Sequence, residues 1–220
     1  ATLGLHEGLL AQPTPRGLQV PQEWMINLDS TAIVLLMIPI AMLTARLRRL
    51  VAIFVGIFIA CTGLLLSGIT MAGWACLAGI FVFAIGEMVA SPKMNEYLGV
   101  IAPRGEEALY MGYANVPLAV GWTSGAYVAG VIYDRIADKA NLATRYLREQ
   151  SHYTEPIART DAMKILQEVT HQDATQATQM LWSTYHPYTF WYLFVAIGLC
   201  SAFGMVVYAR IAKRWVVENA

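Results

Sequence analysis

Between Arg49 and Glu87 the chain contains no Asp, Glu, Lys or Arg, and a second such gap runs from Glu107 to Asp134. A run of roughly 18 or more apolar residues reads as a membrane-spanning helix, because about 20 residues rising 1.5 Å each cross the hydrocarbon layer. The first gap has room for two spans and a tight turn. Composition points the same way: 57% of the 220 residues are apolar or aromatic and 14% are charged, against about 25% charged in average soluble domains. Lys+Arg and Asp+Glu both number 15, a balance that argues against a basic chain built to bind nucleic acid. The reading is an all-α, polytopic membrane protein.

Five spans are expected. The first covers about 27–45 and contains Pro39, the second about 50–67, and the third starts near Met71 and breaks or bends at Ser91-Pro92. The fourth covers about 108–133 with Pro117 inside it, and the fifth about 187–209. Proline within a span frees one carbonyl and marks a kink, so Pro39, Pro92 and Pro117 are candidate helix hinges. The domain reading is an external connector over 1–26, four transmembrane helices over 27–133, an extramembrane helical insertion over 134–186, and the last transmembrane helix with a cytoplasmic tail over 187–220. Span four is rich in small residues, among them Gly112, Ala114, Gly121, Gly125 and Gly130. Small residues let helix backbones approach closely in lipid, so this helix is expected to lie buried in a tight bundle.

In the insertion, Ile136, Leu142, Tyr146 and Leu147 recur near helical spacing, Asp161 is placed to cap one helix, and Thr170 with Asp173 has the spacing of a capping box for the next. A small helical hairpin on the membrane surface is expected there. Residues Ala1 to Trp24 have no basic region followed by an apolar core, so they do not read as a signal peptide, and the chain reads as a piece of something longer. Basic residues set orientation. Arg46, Arg48 and Arg49 join spans one and two, Lys93 and Arg104 join three and four, and Arg210, Lys213 and Arg214 follow span five. The Arg-rich link is therefore placed in the cytoplasm.

Chemistry concentrates in one side chain. Glu87 stands in AIGEMVASPK, well inside span three. An ionised carboxylate is expensive in that setting, and such a group carries a proton, meets a cationic substrate group, or is held in a structural pair. Asp29, in WMINLDST, reads as a helix-start acid at the outer end of span one. Asn115 in span four is placed either to line a cavity or to hydrogen-bond a neighbouring helix. Glu96 and Tyr97, just past Pro92, read as gate or loop residues. Cys61, Cys76 and Cys200 all sit in apolar runs and form no disulfide framework or metal spacing with the four histidines. No GxSxG, HExxH or phosphate-cradling glycine loop occurs, so no enzyme, cofactor or metal is expected.

Three stretches, PQEWMINLDSTAIVLLMIPIAMLTARLRR, GEMVASPKMNEYLGVIAP and ALYMGYANVPLAVGWTSGAYVAG, resemble helices eight, ten and eleven of a major facilitator superfamily transporter. The chain as a whole resembles the C-terminal half of that fold, in the proton-dependent oligopeptide transporter branch. The resemblance implies a major facilitator type helical bundle completed by an N-terminal helical half. It also implies a small-molecule substrate, peptides being the class the branch suggests, driven by protons across a cell membrane of the bacterial inner-membrane type. The helix-ten glutamate of that branch meets the peptide's amino group, a role that falls on Glu87. Ala114 stands where those transporters carry a pocket-lining Trp, and the 134–186 segment replaces a short external turn. Arg46, Arg48 and Arg49 then stand at a cytoplasmic gate or serve as topology determinants. The other reading is a membrane-anchored receptor or assembly protein that uses 134–186 to bind a partner.

Overall fold

The computed structural model describes residues 12–14, 17–19 and 21–218. It is helical apart from a short antiparallel pair, β1 (Gln12–Thr14) and β2 (Gly17–Gln19), with Gln12 opposite Gln19. That pair lies in the stretch read as a connector over 1–26, the rest of which is outside the described residues up to Pro21. Eight helices come after it: α1 (Gln22–Thr44), α2 (Arg49–Ile69), α3 (Gly73–Ile101), α4 (Glu107–Ile136), α5 (Lys139–Glu149), α6 (Ala162–Thr170), α7 (Ala174–Tyr185) and α8 (Thr189–Glu218). Five helical segments are long and apolar enough to cross a membrane, and they are built on α1, α2, α3, α4 and α8. The chain divides into two units, one of Gln22–Gly121 with α8 from Trp191, the other of Trp122–Phe190 with the hairpin.

In the first unit α2 and α3 are joined by three residues, Thr70–Ala72, which forces them antiparallel. Glycines set their separation. A Cβ on Gly56 would stand 2.7 Å from the carbonyl oxygen of Gly86, and one on Gly86 would stand 2.6 Å from the oxygen of Gly56. Gly63 and Gly79 repeat the arrangement one heptad away, each 2.7 Å from the other's carbonyl oxygen by the same construction. A seven-residue repeat of contacts is what two helices crossing at a shallow angle produce. Lipid gives helices no hydrophobic reason to associate, so this backbone-to-backbone contact is what dispersion can act on. Helix α1 packs on α3 through Ala32, Ala84 and Met88, with Leu36, Met37 and Ile85 around them. Helix α8 seats on α2 at two notches, Trp191 against Gly68 and Gly198 against Cys61 Sγ, again seven residues apart on each helix.

The small residues of α4 are not used this way. None of its described residues is buried, and a Cβ on Gly112, Gly125 or Gly130 would meet nothing within 4 Å. The tight packing expected of span four belongs to α2 and α3 instead. Which glycines face a partner is decided by helix register, and both regions carry enough of them.

In the second unit the expected pair of helices, α6 and α7, packs with α5 around a core of its own. Leu142, Ala143, Leu147, Ala162, Leu166, Ala177 and Leu181 are buried there, so the apolar faces of α5, α6 and α7 turn on one another. Asp138 caps α5 by accepting a hydrogen bond from the Asn141 N–H at 2.9 Å. The capping box of α7 is Asp173 with Gln176, three residues later than expected. Asp173 Oδ1 accepts from Gln176 N–H at 2.7 Å, and Thr170 instead closes α6 with its hydroxyl on Leu166 O. Asp161 occupies the cap position of α6 without a side-chain cap bond.

Tyr185 closes this unit. Its hydroxyl donates to Glu149 Oε2 at 3.0 Å, and the Arg145 guanidinium lies 5.0 Å from its ring centre while pairing with Glu149 at 2.8 Å. Burial first, and the Glu149 carboxylate second, push the phenol up to about 12. Below about pH 10, the ordinary phenol value, Tyr185 is protonated in both folded and unfolded chain, and its contribution is fully present. Between about pH 10 and 12 only the unfolded chain ionises, so stability falls as pH rises. Tyr185→Phe is therefore expected to remove part of the alkaline loss, read as a flatter unfolding midpoint of the full chain across that window. A variant with the wild-type pH dependence would show that the fold does not hold this phenol above its ordinary range.

Candidate functional site

Glu87 lies midway along the 29 residues of α3. Its neighbours fix its direction. Gly86 is pressed on α2 and Met88 is buried in the α1–α3 cluster, so Glu87 is the exposed position between them. Among the described residues its carboxylate has no hydrogen bond and no ion pair. Helix α1 begins at Gln22, which puts Asp29 about two turns inside the helix and not at its start, where the sequence pattern had placed it. Asp29 precedes Ala32 and Ile33 by one turn and so shares the α1 face that packs on α3. Its Oδ1 is shut off from solvent and receives no hydrogen bond. Asp29 thus lies on the α1 face toward α3 with one orphaned oxygen, while Glu87 is exposed and, among the described residues, unpaired.

Asn115 is exposed on α4 and is not brought to Glu87. Helices α3 and α4 meet beside their connecting loop, where a Cβ on Gly99 would lie 3.6 Å from Met111 Cε. That loop turns at Gly105, whose φ of +87° suits glycine. Pro39, Pro92 and Pro117 all lie inside uninterrupted helices. In particular α3 does not break at Ser91-Pro92. Pro92 removes one N–H donor, yet the helix runs on to Ile101, and residues just past it have side-chain partners.

Those partners form the second cluster. Arg49 Nε binds Glu96 Oε1 at 2.8 Å, Lys93 Nζ binds Glu96 Oε2 at 2.9 Å, and Lys93 Nζ also reaches Ala45 O at 3.5 Å. Glu96 and Tyr97 are therefore helical residues, not loop residues. Arg46 and Arg48 stay exposed in and beside the α1–α2 link. One carboxylate gathers two cations and ties α3 to the start of α2 and to the link. Exposed pairs of this kind contribute roughly 0–1 kcal/mol each, weak enough to be remade during a conformational change.

Sequence reasoning singled out Glu87 and read Asp29 as a helix-start acid from an expected helix start at 27, whereas α1 begins at Gln22 and carries Asp29 inside it. Among the described residues no group of three or more His, Cys, Asp or Glu is placed to hold a metal ion. The arrangement around Glu87 can take up and release a proton or meet a cation, and offers no nucleophile–base pair for bond cleavage. No protein-family model, curated protein or solved structure matches this chain.

Proposed function

We propose that the chain is the C-terminal helical half of a secondary active transporter of the major facilitator type, spanning a cell membrane several times. In this reading it moves a small solute, with peptides as the leading class, by proton coupling and alternating access. The observation that carries the reading is Glu87: a carboxyl midway along a membrane-length helix, without a cation to hold it. A charge at that depth is expensive unless it faces water or a polar partner. A group that gains and loses a proton as a cavity opens to one side and then the other meets that requirement. Asn115 would line the cavity from α4, and Pro39, Pro92 and Pro117 would let the lining helices bend. The Arg49–Glu96–Lys93 cluster would stand at the cytoplasmic end. The partners are then the substrate, protons, lipid and an N-terminal helical half.

One observation favours a second reading. The unit around Leu147 and Leu166 has a core of its own, as a docking module carried on membrane anchors would. The two readings differ at Glu87. Ser91 lies one turn further along α3 on the same side, so Ser91→Cys reports whether water reaches that face. Transport predicts labelling of Ser91→Cys by a membrane-impermeant thiol reagent, with Val34→Cys on the exposed face of α1 unlabelled. Equal protection of both positions would favour the anchor.

A further inference from the structure

Helix α8 is seated on α2 by Trp191 and Gly198, and its buried positions are Val195 and Ala202. Beyond Ala202 one side of the helix is open, with Phe203 69% and Ile211 50% exposed, while Met205, Val206, Ala209 and Ala212 are half-buried. Tyr208 lies on this segment, six residues and about 9 Å past Ala202. Its hydroxyl meets that of Tyr97 at 2.6 Å, and the two rings stand edge to face at 6.3 Å. Tyr97 belongs to the same last turns of α3 that carry Lys93 and Glu96. Upstream, α3 is fixed to α2 by main-chain contact that has no play. Here it is held by polar side chains at a partly open surface, each bond worth little net because water competes for it.

We propose that the Tyr97–Tyr208 pair is a releasable catch that holds the distal segment of α8 against α3 in this conformation. With the bond broken, the segment from Ala202 onward swings away while Trp191 and Gly198 keep the rest of α8 on α2. The catch rests on geometry alone and does not depend on the transport reading. Its test is a distance measurement, not an uptake assay. Spin labels at Val100→Cys and Ile211→Cys, in the full chain with Cys76 and Cys200 replaced by alanine and the buried Cys61 kept in its contact with Gly198, report the α3–α8 separation in lipid nanodiscs. Tyr97→Phe and Tyr208→Phe keep the rings and remove the bond. Each is expected to raise the long-distance population about five-fold, the size of one net hydrogen bond. The double variant is expected to match either single one, since all three lack the same bond. Distance distributions unchanged in both single variants would overturn the catch, and so would a double variant whose effect is the product of the two.

Discussion

Gly63→Leu is expected to abolish the folded state of this chain. A Cβ alone at position 63 would stand 2.7 Å from the carbonyl oxygen of Gly79 and closer still to the main chain of Phe83. A leucine adds three more carbons to a gap that does not hold one. Even Gly63→Ala should destabilise, and the comparison of two effects gives the test. At an open helical position, Gly→Ala gains up to about 1 kcal/mol from helix propensity, whereas forcing a methyl into a closed seam loses about 1–3 kcal/mol. Gly112, with nothing within 4 Å, should show the gain, and Gly63 the loss. Thermal unfolding in detergent distinguishes them by sign: Gly112→Ala at or above the wild-type midpoint, Gly63→Ala below it, and Gly63→Leu without a monodisperse peak on size exclusion. A Gly63→Ala midpoint at or above wild type would mean that α2 and α3 are not in main-chain contact.

On the proposed transport function, Glu87→Gln is expected to reduce proton-driven uptake to background while leaving expression intact. Glutamine keeps the length and hydrogen-bonding capacity of glutamate and removes only the ability to exchange a proton or balance a cation. Because Glu87 is exposed and holds no structural partner among the described residues, the substitution breaks no packing, so any loss belongs to transport and not to folding. The measurement is uptake of labelled dialanine, a probe for the proposed peptide class, into proteoliposomes of the protein with an inward proton gradient. Glu87→Asp, which keeps the charge, is expected to retain part of the activity. Wild-type uptake by Glu87→Gln would remove this residue from the mechanism.

The five long helices were legible because charge-free runs of membrane length allow little else, and their order along the chain is then fixed. Their ends were less so. Helix α1 starts at Gln22 rather than 27 because Trp24, Met25 and Ile26 are as compatible with a helix as the apolar run from Ala32 onward. Helix α3 runs through Pro92 to Ile101, a continuation that reading the proline as a local breaker does not anticipate. The glycine seam left a signal that local reading passed over: Gly56 and Gly63 repeat the seven-residue spacing of Gly79 and Gly86. Small residues in α4 looked equally suited to packing, and only tertiary register separates the two cases. Of the site, Glu87 was visible as a lone charge in an apolar run. Asp29 was not, since its meaning depends on which face of α1 meets α3.

The atoms that crowd Gly63 and Gly79 are main-chain nitrogen, carbon and oxygen, which every amino acid supplies alike. A lesion there consequently has no compensating change opposite it: no choice of residue on the facing helix can trim a carbonyl. Gly68 differs, because its notch is filled by the indole of Trp191, and a smaller ring or an aliphatic group in that place would make room. Intragenic suppressors of the two kinds of lesion should therefore separate cleanly, with true revertants at the seam and second-site partners at the notch.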